Sequence, residues 1–296
     1  MTQAHGAARS RWSVVAAAMV VAVAAGGAAP AGQAPSALRE GRAAIPGAEV
    51  FYYDSGGPGP AIVLLHAGTG SARVWEHQWG PLAAAGYRVV AYDRRGYGRT
   101  TVDPGGPIAT AADDLMALAE ALGLGRFHLV GTAAGGIVAI DAALAFPARL
   151  RSLVVANSLG GVTDPSYVEL GRRLRPREFA ALPPDLRELG PAYRAADADG
   201  TARWLALEQR SRAPGEAPPA QPPKQRVTFA MLERLAVPTL LLTGGADMYT
   251  PPAALRLFAD RIPGAAAIVL PDVGHSAYWE QPEAFNRAVL EFVRRY

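Results

Sequence analysis

The stretch RFHLVGTAAGGIVAIDAALAF, residues 126–146, contains the local pattern that decides the fold. Residues 126–130 form a short apolar run of the kind found in buried strands, and residues 133–146 have the spacing of a helix. Between them, the sequence GTAAGG at residues 131–136 predicts a sharp turn, because glycines at both ends let neighbouring backbone approach closely. The stretch therefore predicts a strand, a tight turn and a helix in succession.

The same alternation of strand and helix extends in both directions along the chain. Further strands are predicted at residues 49–54, 61–65, 87–92, 150–156, 237–243 and 267–270. Further helices are predicted at residues 110–122, 252–261 and 282–295. Short apolar strands that alternate with helices indicate an α/β fold with a mostly parallel central sheet and helices on both faces.

The alternation stops between residues 159 and 226. This part has short amphipathic pieces, followed by a proline-rich stretch at residues 213–223 that is typical of a stiff linker. It predicts a helical cap inserted into a core made of residues 48–158 and 227–296. Residues 32–47 are small, polar and proline-containing, and predict a flexible lead-in to the core.

The first 31 residues have the pattern of a signal peptide. Arg9 and Arg11 precede an apolar run at residues 14–25, and small residues around Ala31 predict a cleavage site. The run is shorter than the ~20 apolar residues that a membrane-spanning helix needs. We therefore expect a secreted or periplasmic protein with no stable membrane span after cleavage.

Composition excludes several other classes of function. Half of the residues are apolar and 19% are charged, with a net charge of +3 and no basic stripe, so nucleic acid is not an expected partner. The chain has no cysteine, which excludes disulfides and thiolate chemistry. Its five histidines lack the spacing of metal ligands, so neither a metal nor another cofactor is expected.

Polar loops follow four of the predicted strands. HAGTG at residues 66–70 follows AIVLL, and DRRGYGR at residues 93–99 follows the next strand. GGAD at residues 244–247 follows TLLLT, and DVGHS at residues 272–276 follows the last strand. Because the carboxyl ends of parallel strands share one edge of the sheet, these loops predict a ligand site at that edge.

With these motifs in this order, the chain resembles the α/β-hydrolase fold superfamily over about residues 48–296. It is similar to the branch of esterases, lactonases, haloperoxidase-like proteins and carbon–carbon bond hydrolases, which carry a cap between the sixth and seventh strands of the family's sheet. In that family the strand–turn–helix motif is the nucleophile elbow, Gly-x-Ser-x-Gly.

The resemblance implies roles for particular residues. His275 would be the base and Asp247 would orient it, while the backbone N–H groups of Gly68 and Ala134 would form the oxyanion hole. The candidate substrate contacts are His66, Tyr97, Asn157 and Ser158.

The chain departs from the family at the nucleophile position, which holds Ala133. A methyl group cannot form an acyl-enzyme, so four explanations stay open. His275 could act directly on water or substrate, or a hydroxyl of Thr132, Ser158 or Ser276 could substitute. The fold could instead be a non-catalytic binding protein, or Ala133 could be an engineered exchange.

Of these explanations, the first is our expectation. It predicts an exported enzyme that acts on a small, largely apolar carbonyl compound, namely an ester, a lactone or a substrate of carbon–carbon cleavage. A charged Asp beside a His favours an enzyme over a binding protein, because a base needs such a partner. The sequence of the cap does not identify the substrate.

Overall fold

The structure is a computed structural model, and it describes residues 38–175, 177–215 and 217–296. The predicted signal peptide, residues 1–31, lies outside the described residues.

A single sheet of nine strands forms the centre of the protein. Its strands follow the order β1-β2-β4-β3-β6-β7-β8-β9, and the short β5 pairs with β2. The strands are β1 (Arg39–Ile45), β2 (Ala48–Asp54), β3 (Ala61–Leu65), β4 (Arg88–Tyr92), β5 (Thr101–Val102), β6 (Phe127–Thr132), β7 (Leu150–Ala156), β8 (Thr239–Gly244) and β9 (Ala266–Leu270). All neighbours from β4 to β9 are parallel, which confirms the prediction of a mostly parallel sheet.

Helices cover both faces of this sheet. The helices of the described residues are α1 (Glu76–Ala84), α2 (Ala111–Ala121), α3 (Ala134–Ala145), α4 (Pro165–Leu174), α5 (Pro184–Glu188), α6 (Pro191–Ala196), α7 (Ala198–Gln209), α8 (Phe229–Leu232), α9 (Pro252–Ala259), α10 (Ala277–Glu280) and α11 (Pro282–Val293). One core packs side chains of α2, α3 and α9 against the sheet, including Leu115, Ile140 and Phe258. The other packs α1, α10 and α11 on the opposite face, where Tyr278 and Phe285 are fully buried.

The prediction of a flexible lead-in at residues 32–47 is wrong for its second part. Residues 39–45 form β1, which pairs antiparallel with the whole of β2 and buries Ala43 and Ile45. The missed signal is Pro46-Gly47, a turn-forming pair in which Gly47 has a φ of 76°. Proline followed by a residue with positive φ is the pattern of a type II turn, which here reverses the chain between two strands.

Between β7 and β8 the chain leaves the sheet and forms helices α4 to α7. Residues 217–225 then return to the core and hydrogen bond to it. The Gln221 side chain donates to Asp114 at 2.7 Å, and the Lys224 N–H donates to Asp141 at 2.7 Å. Within the described ranges, no helix combines the length and apolar character that crossing a bilayer requires.

Candidate active site

The turn between β6 and α3 holds Ala133 in a strained backbone conformation. Its φ of 49° and ψ of −116° lie outside the regions that residues with a Cβ ordinarily adopt. Such a conformation costs about 1–3 kcal/mol. The Ala133 N–H donates to the carbonyl oxygen of Ala156 at 2.9 Å, so the neighbouring strand β7 holds the turn in place.

Two glycines allow this turn to form, because a side chain at either position would overlap neighbouring backbone. A Cβ at Gly131 would overlap the carbonyl oxygen of Gly135, and a Cβ at Gly135 would overlap that of Leu65. The backbone of β3 and that of α3 therefore pass each other closely beside Ala133. The turn has the geometry of a nucleophile elbow, although its central residue has no nucleophilic atom.

His275 and Asp247, the predicted base and its orienting partner, form a direct pair. Nδ1 of His275 lies 2.9 Å from Oδ2 of Asp247 and 3.0 Å from Oδ1. Since a carboxylate accepts hydrogen bonds, Nδ1 carries the proton and Nε2 has the free lone pair. The loops after β8 and β9 bring the two residues together at the carboxyl edge of the sheet.

Asp247 is buried and well supplied with hydrogen bonds. Beyond His275, its carboxylate accepts from the backbone N–H groups of Tyr249 (2.7 Å) and Thr250 (2.9 Å) and from the Asn157 amide (3.0 Å). Burial acts to raise the pKa of Asp247, but His275 and these donors outweigh it and lower that pKa. Asp247 is therefore a carboxylate that orients the imidazole.

The pKa of His275 is raised. Burial opposes the charged imidazolium, but the negative charge of Asp247, followed by those of Glu188 and Glu280, outweighs this effect. Three carboxyl groups thus surround one histidine. His275 binds a proton more strongly than a free histidine does, which suits a base that must hold a proton during a reaction.

The two predicted oxyanion amides lie side by side. A Cβ at Gly68 would stand 3.6 Å from the Cβ of Ala134, so the loop after β3 contacts the first turn of α3. Ala134 is the first residue of α3, and the first N–H groups of a helix have no partner inside it. Within the described ranges neither N–H donates to another protein group, so both are available to an oxygen of a ligand.

His66 supports this loop rather than lining the cavity. Its Nδ1 donates to the Ala67 carbonyl oxygen at 2.7 Å, and its Nε2 accepts from the Arg94 N–H at 3.1 Å. Burial, together with the positive charge of Arg94, holds the pKa of His66 well below its ordinary value, so the ring is neutral. With both ring nitrogens occupied, His66 has no free group for a substrate.

Arg94 acts on the same peptide. Its guanidinium donates to the carbonyl oxygens of His66 (3.1 Å) and Ala67 (3.3 Å). The Ala67 carbonyl also accepts from the N–H of Gly70 at 3.2 Å. Because the Ala67 carbonyl and the Gly68 N–H belong to one peptide group, donors on the oxygen polarise the N–H and make it a stronger donor.

Ala133, His275 and the two residues of the predicted oxyanion hole line a cavity of about 270 Å³. Its lining includes Gly68, Thr69, Ala133, Ala134, Ile137, Asn157, Ser158, Leu159, Arg175, Glu188, Tyr249, Thr250 and His275. Residues 159, 175 and 188 come from the region predicted as the cap, and the others come from the core. Most of the surface inside the cavity is apolar, with His275 and Glu188 as its buried ionisable groups.

Of the remaining predicted contacts, Asn157 and Ser158 reach the cavity. The Asn157 amide donates to Asp247 and, at 3.2 Å, to the Gly274 carbonyl, so its N–H groups hold the dyad and are not free for a substrate. Tyr97 is not part of the lining, but its hydroxyl lies close to Gly68. Its role as a substrate contact stays a prediction.

Three hydroxyl groups near the elbow or His275 could substitute for the missing serine. Thr132 Oγ1 is buried below the elbow, with no hydrogen-bond partner in the described part of the chain. Ser276 is buried and outside the cavity lining. Ser158 reaches the cavity, where its Oγ accepts from the Gly160 N–H at 3.2 Å. The hydrogen bonds found among residues 38–175, 177–215 and 217–296 do not connect any of the three to His275.

Sequence reasoning missed Glu188 and Tyr249. Glu188 is 4% exposed, and burial raises the pKa of its carboxyl group. The Tyr249 ring packs on the imidazole of His275, with 4.3 Å between the ring centres. Tyr249 follows Asp247 by two residues and could have been found from that spacing, whereas Glu188 lies in a cap segment without a recognisable motif.

Known proteins share this architecture. The solved esterase from Thermogutta terrifontis superposes with a TM-score of 0.68 at 27% identity, covering 87% of this chain and 98% of that one. Est816, described as an N-acyl homoserine lactone degrading enzyme, superposes with a TM-score of 0.67 at 25% identity, covering 85% of this chain and all of that one.

Sequence comparison gives the same assignment. The 2-hydroxy-6-oxononadienedioate/2-hydroxy-6-oxononatrienedioate hydrolase of Burkholderia vietnamiensis is 30% identical over 276 residues, covering 83% of this chain and 91% of that protein. The sequence model described as the alpha/beta hydrolase family matches residues 62–288. The chain therefore belongs to the alpha/beta hydrolase family.

Proposed function

We propose that the protein is an exported enzyme that acts on a small, largely apolar carbonyl compound with a His–Asp base and without a serine nucleophile. One observation carries the proposal. His275, held by Asp247, opens onto the same cavity as Ala133 and the free amides of Gly68 and Ala134. Every part of a carbonyl-addition site except the nucleophile is therefore assembled in one place.

The reaction that follows from this arrangement begins with a water molecule beside the methyl group of Ala133. His275 Nε2 takes a proton from the water, and the oxygen forms a bond to the carbonyl carbon of the substrate. The Gly68 and Ala134 amides stabilise the resulting oxyanion. When the intermediate collapses, the bond to the leaving group breaks, and His275 returns the proton to that group.

The cavity supports the class of substrate. Its volume of about 270 Å³ is slightly below the ~300–1,000 Å³ of common ligand sites, which favours a small compound. Ala133, Ala134, Ile137 and Leu159 favour an apolar body. The names of the similar proteins include an esterase, a lactone-degrading enzyme and a hydrolase of an oxo-dienedioate, which supports a carbonyl group as the reacting centre.

Export rests on the sequence of the first 31 residues. Arg9 and Arg11, the apolar run and the small residues before Gly32 together form the pattern of a cleaved signal peptide. N-terminal sequencing of protein recovered outside the cytoplasm should give a chain that begins near Gly32. An intact Met1 on the exported protein would contradict this part of the proposal.

A second candidate function is a ligand-binding protein without turnover. The observation that favours it is Ala133 itself, because loss of the triad serine costs a serine hydrolase about 10⁶ in kcat. Under this alternative, ligands would bind in the cavity and leave unchanged.

A screen of short acyl esters, lactones and 1,3-dicarbonyl compounds against the wild-type protein and His275→Ala distinguishes these functions. The proposal expects turnover of at least one compound by the wild type and its loss in the variant. Binding without turnover in both proteins would favour the binding protein.

Ala133→Ser provides a second test of the site. With the elbow, the amides and the dyad in place, this variant should react with a serine-directed phosphonate and hydrolyse short acyl esters, whereas the wild type should not be labelled. Ala133→Ser/His275→Ala is the matched control and should lose the gained activity. Labelling of the wild type at Ser158 would show a substitute nucleophile and overturn the proposal. A folded Ala133→Ser without labelling would show that the oxyanion geometry is not functional.

A further inference from the structure

A second cavity of about 590 Å³ lies between the cap and the core, apart from the candidate active site. Five arginines line it: Arg73, Arg99, Arg203, Arg210 and Arg212. They come from four parts of the chain, namely the loop after β3, the loop after β4, helix α7 and the stretch after α7. We call this space the arginine cavity.

The acids near the arginine cavity do not balance these charges. Glu40 pairs with Arg99 at 2.9 Å, and Glu76 pairs with Arg203 at 2.6 Å. Asp93 is buried, and its carboxylate accepts hydrogen bonds from the backbone N–H groups of Ala72 and Arg99. Among the described residues, no carboxylate lies within ion-pair distance of Arg73, Arg210 or Arg212. The arginine cavity therefore has an excess of positive charge.

Two of the guanidinium groups converge on one neutral atom. The hydroxyl oxygen of Tyr53 accepts from Arg99 at 2.6 Å and lies 3.4 Å from Nη1 of Arg73. The Arg99 guanidinium also packs 3.5 Å from the centre of the Phe51 ring, which fixes its position. Glu40 already pairs with Arg99, so Arg73 is the cation of the two that has no carboxylate within ion-pair distance among the described residues.

Arg212 is fixed in a similar way. Its guanidinium lies 4.2 Å from the centre of the Tyr97 ring, and the Tyr97 hydroxyl is close to Gly68 of the candidate active site. Tyr97 thus stands between the two cavities. A ligand in the arginine cavity would sit beside the oxyanion loop without entering the site of the proposed reaction.

We propose that the arginine cavity binds a small anion with two or more negative charges, such as a di- or tricarboxylate or a diphosphate. Guanidinium groups recognise carboxylate and phosphate oxygens through paired hydrogen bonds, and a cleft with an excess of one sign of charge attracts ions of the other. The volume fits a small molecule. A small anion is favoured over a nucleic acid because the net charge of the whole chain is only +3.

Isothermal titration calorimetry of the wild-type protein with pyrophosphate and, separately, with citrate tests the proposal. All titrations are made at one pH and at constant ionic strength set with sodium chloride. We expect saturable binding of at least one of the two anions with one equivalent per chain. The anion that binds more tightly shows whether the arginine cavity prefers phosphate or carboxylate oxygens. No saturable binding of either anion would overturn the proposal.

The variant Arg73→Ala/Arg212→Ala should weaken this binding at least tenfold. Arg172→Ala/Arg173→Ala is the matched control, because it removes the same two charges from exposed positions on α4, and it should bind as the wild type does. Equal weakening in both double variants would show a net-charge effect and overturn the proposal.

If Arg73→Ala/Arg212→Ala does not fold, two other measurements test the same site. One is anion binding by Arg210→Ala, and the other is the NMR signals of the arginine side-chain Nε–H groups in the wild-type protein. The anion should shift the signals of Arg73 and Arg212 and leave those of Arg172 and Arg173 in place. Shifts spread evenly over all arginines would contradict the site. Neither readout depends on turnover, so the outcome is independent of the proposed function.

Discussion

The backbone N–H of His275 donates a hydrogen bond to the carbonyl oxygen of Glu188 at 2.8 Å. This bond joins the loop that carries His275 to helix α5, which lies between β7 and β8. The Glu188 side chain enters the same cavity and adds to the negative charge around the imidazole. Glu188 therefore ties α5 to the His275 loop and also contributes, after Asp247, to the raised pKa of His275.

We expect His275→Ala and Asp247→Asn each to reduce turnover by about 100-fold or more, the smaller end of what a general base contributes. Thr132→Val should leave turnover unchanged. It should also leave the free energy of unfolding equal or higher, because the Thr132 hydroxyl is buried with no hydrogen-bond partner among the described residues. Steady-state kinetics and urea unfolding measure these effects. Loss of activity in Thr132→Val together with its retention in His275→Ala would reverse the assigned roles.

The raised pKa of His275 determines how turnover should change with pH. Only the neutral imidazole is a base, so turnover should increase as pH rises through a pKa above the ordinary value of about 6.5. Glu188→Gln removes one negative charge beside the ring, so the His275 pKa should fall and the increase in turnover should move to lower pH. Side-chain NMR titration of His275 measures this directly. Glu169→Gln, at an exposed position of α4, is the control and should leave the titration unchanged.

The same pKa shift affects stability with a defined sign. A folded-state pKa above the unfolded value means that the charged His275 stabilises the fold fully below the unfolded pKa, and that this contribution is lost as pH rises through the folded pKa. His275→Ala should therefore lower the free energy of unfolding more at pH 5.5 than at pH 8.5. An equal loss at both pH values would show that the imidazolium makes no net contribution to stability.

Arg94 should control the strength of the Gly68 amide as a donor. In Arg94→Met, the Ala67 carbonyl loses its charged donor, so the proton signal of the Gly68 amide should move upfield in the NMR spectrum. The guanidinium groups of Arg94 and Arg212 lie 4.7 Å and 4.2 Å from the centre of the Tyr97 ring. Arg212 has no hydrogen bond to the Ala67 carbonyl, so Arg212→Met is the control and should leave the signal in place. An unchanged Gly68 signal in Arg94→Met would show that this hydrogen bond does not polarise the peptide.

The elbow should not tolerate a side chain at Gly135. Gly135→Ala places a Cβ against the Leu65 carbonyl oxygen and should lower the free energy of unfolding by about 2 kcal/mol, as overpacking does. Gly125→Ala is the matched control, because its Cβ would meet no atom within 4 Å, and its effect should be neutral or stabilising by about 0.5 kcal/mol. Equal midpoints of urea unfolding would contradict the close packing of β3 and α3.

The sequence by itself determined the sheet and the order of the loops that carry the site. The strands predicted at residues 61–65 and 150–156 coincide with β3 and β7. Residues 61–65 are an unbroken apolar run and residues 150–156 are apolar except for Arg151 and Ser152, which is the local signal of a strand buried on both faces. Asp247 and His275 were predicted from the resemblance to the family, and parallel strands bring the loops that carry them to one edge of the sheet.

Only the tertiary structure decided what surrounds those two residues. Glu188 reaches His275 from a helix 87 positions away along the chain, and Arg73 meets Arg99 at the hydroxyl of Tyr53. Contacts of this kind leave no periodic signal in the sequence, because they depend on how separate loops and helices pack and not on the spacing of residues within one element. The strand β1 escaped prediction for a related reason. Its alternation is weak, and its partner β2 supplies the hydrogen bonds that make it a strand.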